Sequence, residues 1–455
     1  MRQSDKICLA LLAAALTFSM IPGQSAASET GERISLEQAF RIALENNEQV
    51  KISGKELRQA ETDVTTATSE LYPQISVRGA YNWEKERDFN GGSSSLQGSQ
   101  ESIFTTPNEY GTLSLQLDQH IYQWGKVWSG RKIAQYYREG TRLRHVRRVQ
   151  EILFQVSTRY YEVLLGREAI EIAETALERA EKQLQQARAR FNAGILTRTD
   201  VLRAEVQVSR SREELERAKN QHDIAMENLA LELGIGSTPD SLAEPGEKSF
   251  PQTQVTDLYN KALKNRKDLK QAQKELQGRK ENISVEKADF FPRLSFTGQY
   301  TRTDEKGLYY GEYDDWRAAL ELSFPLFTGW KNSADVDRAK AEQNKAEYSL
   351  DRLRKQIRNE VRSVYLNIQT QEKVIDQLKK QVQSAEENYR QVTARFQQGL
   401  VTAVDQIDAF TALTESENSL AQAYYTYQLD LIQLKLATGT FQEDLLEEEI
   451  LNENS

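Results

Sequence analysis

The sequence predicts a mostly α-helical protein made of two internal structural repeats, each carrying two amphipathic β-strands. Three observations carry this fold class. The segment Arg190-Phe191-Asn192-Ala193-Gly194-Ile195-Leu196-Thr197-Arg198-Thr199-Asp200 returns about 205 residues later as Arg395-Phe396-Gln397-Gln398-Gly399-Leu400-Val401-Thr402-Ala403-Val404-Asp405. The offset holds without a gap into Leu229/Leu434, Leu231/Leu436 and Gly234/Gly439. A period this long is no solenoid unit and implies two copies of one large half. Ala, Gln, Glu, Lys and Leu dominate stretches with heptad spacing, the usage of long helices rather than of a thick globular core. Four short stretches alternate apolar and polar residues, the mark of strands with one apolar and one polar face.

The spacing places the first half at 28–236, a linker at 237–254, the second half at 255–439 and an acidic tail at 440–455. Residues 1–27 read as a secretory signal. Arg2 and Lys6 give a charged start, Ile7 to Ile21 is apolar, and Ser25-Ala26-Ala27 supplies small residues for cleavage before Ser28. Cys8 is the only cysteine and lies inside that signal. The mature chain is therefore expected to have no thiol, no disulfide and no lipid anchor.

In the first half, Ser35 with Gln38 forms a capping-box pattern that starts a helix at Leu36, expected to run to about Leu71 before Pro73. Ile75, Val77, Gly79, Tyr81 and Trp83 then alternate with polar residues as a first strand. A Gly/Ser-rich loop spans Asn90 to Gln100, and Leu113, Leu115, Leu117 and Ile121 mark a second strand. A long helix follows from about Val127 to Phe191. Its seam, Ala173, Leu177, Ala180, Leu184, Ala187 and Phe191, is spaced four, three, four, three, four. After the turn at Asn192-Ala193-Gly194 a return helix runs to about Leu233. Val201, Ala204, Val208, Ser211, Leu215, Ala218, His222, Ala225 and Leu229 continue the spacing.

The second half repeats the order. A helix is expected from about Val255 to Phe290, stopping at Pro292, with a third strand through Leu294, Phe296, Gly298 and Tyr300. A loop at Asp304 to Asp315 precedes a fourth strand through Ala318, Leu320, Leu322, Phe324 and Leu326. A long helix from about Asn332 to Phe396 keeps its seam at Leu378, Val382, Ala385, Tyr389, Val392 and Phe396, and Gly439 caps the return helix.

These lengths point to a membrane. A helix of about 65 residues extends roughly 95 Å, and one of about 36 residues roughly 54 Å. Two short helices stacked end to end therefore match one long helix, as in a long cylinder. The strands are long enough to cross a bilayer when tilted. Four strands cannot close a barrel, and an open edge cannot sit in lipid. The chain must pool strands with copies of itself. Two chains would give eight strands and a barrel filled by side chains; three would give twelve and a lumen. The polar strand face suits a wet lumen, so a homotrimer is the better expectation. Trp124-Gly125-Lys126-Val127-Trp128 and Phe327-Thr328-Gly329-Trp330-Lys331 sit at equivalent strand ends. Trp124, Lys126, Trp128, Trp330 and Lys331 fit anchors at a membrane interface, with ordinary aromatic packing as the plain alternative.

On these residues the chain resembles the TolC-like outer membrane efflux protein family. The resemblance covers nearly the whole mature chain. Ser35-Leu36-Glu37-Gln38-Ala39, the pairs Tyr72-Pro73 and Phe291-Pro292 before strands, and the two Arg-Phe-x-x-Gly turns followed by Asp carry it. It implies a homotrimer: a twelve-stranded barrel in the outer membrane continued by a helical tunnel in the periplasm. It implies partnership with a periplasmic adaptor protein and an inner-membrane transporter of RND, ABC or MFS type, in tripartite efflux or type I secretion. The two turns become tips that meet the adaptor, through Arg190, Phe191, Gly194, Leu196, Thr197, Arg395, Phe396, Gly399, Leu400 and Thr402. Asp405 and Asp408 fall where the family places acidic rings at the narrow tip aperture, with Asp200 equivalent to Asp405 in the first turn. A spacing of three puts Asp405 and Asp408 on one helix face. Tip closure in well-studied relatives uses a tyrosine hydroxyl and an arginine; here those positions read Phe396 and Val401, so the latch is expected to be weaker or to be built differently, with Arg198 or Arg395.

Other classes fit less well. The balance of 59 basic and 68 acidic residues argues against nucleic acid, and the basic stretch Arg138 to Arg148 reads as a solvated helix face. There is no nucleophile elbow, phosphate loop or His-based metal motif, and His120, His145 and His222 are scattered. No catalytic residue, cofactor or metal is expected. A periplasmic coiled-coil adaptor or a trimeric stalk explains the heptads but leaves four amphipathic strands unexplained.

Overall fold

The computed structural model describes residues 33–83, 109–239, 241–246, 250, 253–305 and 312–442. The signal, the Asn90–Gln100 loop and the tail from Glu443 lie outside the described residues. The elements run α1 (Leu36–Asn46), α2 (Glu48–Ser69), β1 (Gln74–Trp83), β2 (Glu109–Tyr122), α3 (Lys126–Asn192) and α4 (Arg198–Leu233). The same order follows in α5 (Val255–Asn265), α6 (Lys267–Ala288), β3 (Arg293–Glu305), β4 (Glu312–Ser323), α7 (Lys331–Gln397) and α8 (Ala403–Thr438). Corresponding helices have the same length: 11 and 11, 22 and 22, 67 and 67, 36 and 36 residues. The capping box at Ser35 forms, with Ser35 N donating to Gln38 Oε1 at 2.7 Å and Gln38 N to Ser35 Oγ at 3.2 Å.

The opening helix of each half, expected as one, is broken in two. In the first half Asn47 leaves helical geometry (φ −61°, ψ 126°) and recaps α2, accepting from Gln49 N and Val50 N. Its Nδ2 donates to the Glu232 carbonyl at the end of α4 at 2.7 Å. In the second half Arg266 makes the same break (φ −58°, ψ 124°). The breaks receive the ends of the return helices. Gly234 and Gly439 hold left-handed φ values of 71° and 73° against them. A Cβ on Gly234 would lie 2.7 Å from the Asn46 carbonyl carbon, and one on Gly439 2.8 Å from Arg266 N. Periodicity could not show the breaks, because the apolar pattern runs on through them; their cause is a tertiary backbone contact.

Arg266 is 4% exposed and is fixed by three acceptors: Asp268 at 2.7 Å, Glu360 at 2.6 Å and the Ala437 carbonyl at 3.2 Å. Burial alone would raise the Asp268 carboxyl, but the hydrogen bond and charge of Arg266 outweigh it and hold it below the usual range. A depressed folded-state value stabilises the fold above the unfolded value and is lost as pH falls through the folded one. Arg266→Met is expected to lower stability by about 3 kcal/mol, since it leaves carboxylates without their cation. It should also flatten the acid-side fall in unfolding temperature. Thermal unfolding in detergent across acid pH checks both.

The core lies around the breaks. Phe40, Leu153, Tyr160, Tyr161, Leu164, Leu229, Leu233 and Ile432 pack α1, α3, α4 and α8 together. Phe441, two residues past the expected half boundary, joins them edge-on to Phe40 at 5.9 Å. Leu258, Ile357, Val361, Val364, Ile368 and Leu434 form the second cluster, between α5, α7 and α8. Toward the tips the packing thins to small residues. Ala173, Ala180 and Ala187 of the α3 seam are buried, as are Val201, Val208, Ser211, Leu215 and Ala218 of α4. On α7, Leu378, Val382, Ala385, Tyr389 and Val392 stay half-buried and only Phe396 is fully covered.

The four strands make one antiparallel sheet in the order β1-β2-β3-β4. Registers align rungs of one character: Val77/Leu115/Tyr300/Trp316 on one face, Ser76/Gln116/Gln299/Arg317 on the other. Ile75, Val77, Leu115, Trp316, Leu320 and Leu322 are exposed, so the apolar face is uncovered by the chain itself. β3 and β4 reach further toward their loop than expected, to Glu305 and from Glu312, and β4 stops at Ser323. Phe324 and Leu326 therefore lie past the strand, where Pro325 offers no N–H to a ladder. Among the described residues no helix is long and apolar enough to cross a membrane.

Candidate functional site at the helical tips

Each long helix turns into its return helix through the same backbone device. At the first tip Ile195 N donates to the Arg190 carbonyl and Gly194 N to the Phe191 carbonyl, both at 2.9 Å. At the second, Leu400 N donates to Arg395 and Gly399 N to Phe396, both at 3.0 Å. Gly194 and Gly399 both take φ 76°, the left-handed residue that this helix ending requires. The return helices begin with capping boxes. Thr197 Oγ1 donates to Asp200 Oδ2 at 2.7 Å, and Thr402 Oγ1 to Asp405 Oδ2 at 2.6 Å. The backbone N–H of each threonine binds the same oxygen, at 3.1 and 2.8 Å.

The aspartates expected at an aperture therefore divide. Asp200 and Asp405 are structural caps as well as charges. The threonine hydroxyl, with the threonine N–H, holds each carboxyl below its usual range and so ionised. Asp408 is exposed, one helical turn beyond Asp405, with no hydrogen bond or ion pair among the described residues. Its equivalent in the first hairpin is Arg203, 3.8 Å from Asp200. The first tip thus balances its charge where the second carries two carboxylates. The 205-residue offset contains this asymmetry, since it pairs Asp408 with Arg203.

The tip surfaces also differ from expectation in detail. Leu400 is 70% exposed and Ile195, its equivalent, 63%, whereas Leu196 is half-buried. Ile195 is therefore the apolar tip residue that the sequence reading overlooked. Arg198 and Arg395 are exposed and make no side-chain hydrogen bond among the described residues. The tie between the two hairpins comes instead from Arg190, whose Nη1 donates to the Phe396 carbonyl at 2.6 Å and whose Nη2 donates to the Gln397 carbonyl. Further from the tip, Gln183 Nε2 donates to the Tyr389 hydroxyl at 3.0 Å and Arg179 grips Glu417 at 3.2 Å.

At the other end, strand and helix join through two consecutive left-handed residues. They are Trp124 (φ 49°) and Gly125 (φ 77°) before α3, and Gly329 (φ 64°) and Trp330 (φ 68°) before α7. Trp124 stacks on Phe291 with ring centres 4.5 Å apart, and Trp330 meets Phe327 edge-on. Trp128, Trp330 and Lys331 are well exposed. Lys126 is not free: it pairs with Asp289 at 2.7 Å and ties α3 to the end of α6.

A family model described as "Outer membrane efflux protein" matches residues 40–235 and 258–440. The chain belongs to the outer membrane efflux protein family. It is 25% identical to outer membrane protein TolC of Vibrio cholerae over 420 residues, covering 90% of this chain and 91% of that protein. It is 24% identical to the alkaline protease secretion protein AprF of Pseudomonas aeruginosa, covering 91% and 86%. Solved CusC structures share the fold at TM-score 0.76 with 18% identity, over 89% of this chain and 92% of theirs. As an outer membrane efflux protein the chain is an exit duct, a conduit and not a member of an enzyme family. It sits in the outer membrane. The adaptor or stalk reading is not favoured, since the four strands join in one sheet with an uncovered apolar face.

Proposed function

We propose that three copies of this chain assemble into one duct, each built from two structural repeats. The open edges of β1 and β4 carry this reading. Each strand has a neighbour on one side only, and the uncovered apolar face fits lipid. Joining β4 to β1 of the next copy closes a twelve-stranded barrel with the polar rungs facing a wet lumen. Trp124, Trp128, Trp330 and Lys331 then lie at the periplasmic membrane interface. The tunnel ends at the tips, where Asp405 and Asp408 from three chains line a negatively charged aperture. Asp200, paired with Arg203, adds little net charge there.

The duct is passive. An adaptor docks on the tips, through exposed Leu400, Gly194, Gly399 and their neighbours, and an inner-membrane transporter of RND, ABC or MFS type supplies the energy. The relatives' names include both a protease secretion protein and a cation efflux protein, and a polar tunnel is compatible with either cargo class. Native mass measurement of the detergent-extracted mature chain tests the assembly. Three chains per particle are expected, with extraction requiring detergent. Release of a single chain by osmotic shock would overturn it.

A further inference from the structure

A cleft of about 320 Å³ opens between α3 and α6, near the sheet end of α3. Ile133, Tyr136 and Tyr137 give it an apolar, aromatic wall, and Tyr137 is 52% exposed. Most of its charges are committed. Lys274 pairs with Glu139 at 2.5 Å and lies 5.8 Å over the Tyr136 ring. Arg279 pairs with Glu342 at 2.8 Å and lies 3.8 Å from Glu275. Arg144 is the exception: it is exposed, with no hydrogen bond or ion pair of its side chain among the described residues.

Packing does not demand the two glycines that line the cleft. A Cβ on Gly140 would lie 3.9 Å from Gln271 Cγ, and one on Gly278 3.9 Å from Tyr136 Cβ, which are ordinary contact distances. Glycine inside a helix is less stable than alanine, so both positions keep space open at the expense of the helix. The repeat supports this. The 205-residue offset pairs Tyr136, Tyr137, Gly140 and Arg144 with Ala341, Glu342, Lys345 and Ser349, and Gly278 of α6 corresponds to Gln59 of α2. The other copy of these helices forms without the residues of the cleft.

The cleft lies on the side of α3 away from α1. His145, Val149, Leu153, Val156 and Tyr160 are spaced four, four, three and four, and the last four pack with Leu36, Phe40 and Ala43 of α1. Ile133, Tyr137, Gly140 and Arg144, spaced four, three and four, fall roughly opposite them at 3.6 residues per turn. Twelve wall helices about 9–10 Å apart enclose a bore of roughly 25 Å. Six more helices about 10 Å wide, α1 and α5 from three chains, would plug it. In a duct α1 therefore packs outside, and the cleft faces the lumen.

We propose that this cleft is a way-station for cargo and that it takes a flat aromatic ring bearing an anionic group. The ring lies against Tyr137, and the anion pairs with Arg144. The proposal rests on the trimeric duct reading above. Arg144 stands about 48 residues, or roughly 70 Å, from the end of α3 at the tip, so the cleft meets cargo already past the acidic aperture. A site in a conduit must bind weakly enough to release, which suits an open cleft with one free cation.

Calorimetric titration of the detergent-extracted particle with naphthalene-2-sulfonate tests the site, with N-methylquinolinium as a cation of similar size. One saturable site per chain for the sulfonate, and none for the cation, is expected. Arg144→Gln should weaken sulfonate binding about tenfold, the effect of losing a charged hydrogen bond. Gly140→Ala with Gly278→Ala narrows the cleft without a clash and should also weaken binding, with the unfolding temperature unchanged or higher. Equal binding of the two probes, or unaltered binding in Arg144→Gln, overturns the site. The facing has its own readout. The mature chain brings no thiol of its own if Cys8 leaves with the signal, so Tyr137→Cys can be modified by a bulky thiol reagent in bilayer-inserted channels. A drop in single-channel conductance is expected; a modified thiol with unchanged conductance overturns the lumenal position and the cargo role. A native mass of three chains with no sulfonate site overturns the proposal and leaves the duct standing. A native mass of one or two chains overturns the duct and the cargo role with it.

Discussion

Replacing Gly439 or Gly234 with alanine is expected to abolish the folded particle, although each change adds one methyl group. Both glycines hold left-handed φ values, 73° and 71°, where an alanine is strained by about 1–2 kcal/mol. Space is the larger problem. The new Cβ would come within 2.8 Å of Arg266 N and 2.9 Å of the Asn265 carbonyl carbon at one site, and 2.7 Å of the Asn46 carbonyl carbon at the other. These are backbone atoms and cannot swing aside as a side chain can. Relieving the contact means pulling the return helix off the break it seats, which costs roughly another 3 kcal/mol through lost packing. Gly194→Ala and Gly399→Ala are the matched controls. Their φ is 76°, but nothing lies within 4 Å of an added Cβ, so they carry the conformational term alone. The yield of heat-modifiable oligomer and its unfolding temperature separate the pairs. Loss at Gly234 and Gly439 with near-normal particles at Gly194 and Gly399 is expected. Equal tolerance at all four would contradict the seating of the return helices.

The second large effect concerns charge at the aperture. Removing both Asp405 and Asp408 should relieve block of the channel by multivalent cations, since in the proposed trimer three copies of each would make two close rings of negative charge. The capping geometry shapes how the test is read. Asp405 Oδ2 binds both Thr402 Oγ1 and Thr402 N, so Asp405→Ala removes a charge and loosens the first turn of α8. Asp408 makes no such bonds, and Asp408→Ala removes charge alone. Single-channel block titrations should therefore show at least about tenfold weaker block in Asp408→Ala and a larger loss in the double variant. Arg203→Ala in the first hairpin unmasks Asp200 and should strengthen block. Unchanged block in the double variant would show that these carboxylates do not line the narrow point.

Much of the molecule is legible in the sequence because its elements are long and regular. The heptad seams, the Arg-Phe-x-x-Gly turns and the period-two strands each place themselves within a few residues of their observed bounds. What stayed hidden depends on contacts distant in sequence. Asn47 and Arg266 sit in continuous helical patterns, and only the arriving ends of α4 and α8 explain why the helix breaks there. β4 ends at Ser323 although Phe324 and Leu326 keep the alternation going past Pro325. At the tips, the positions of the aspartates could be read, but not their bonds. The capping of Asp200 and Asp405, the balance of Asp200 by Arg203 and the reach of Arg190 to α7 all depend on side-chain contacts made only in the fold. The repeat offset could have revealed one of these in advance, since it pairs Asp408 with Arg203 and Leu400 with Ile195.

The most direct test of the duct is single-channel conductance of the purified mature protein in a planar bilayer, with a trivalent cation added to each side in turn. Small, cation-selective openings blocked from one side only are the predicted result, because the proposed acidic aperture would lie at one end of the duct. Anion selectivity, or equal block from both sides, from a properly assembled particle would contradict an acidic tip as the narrow point of the channel.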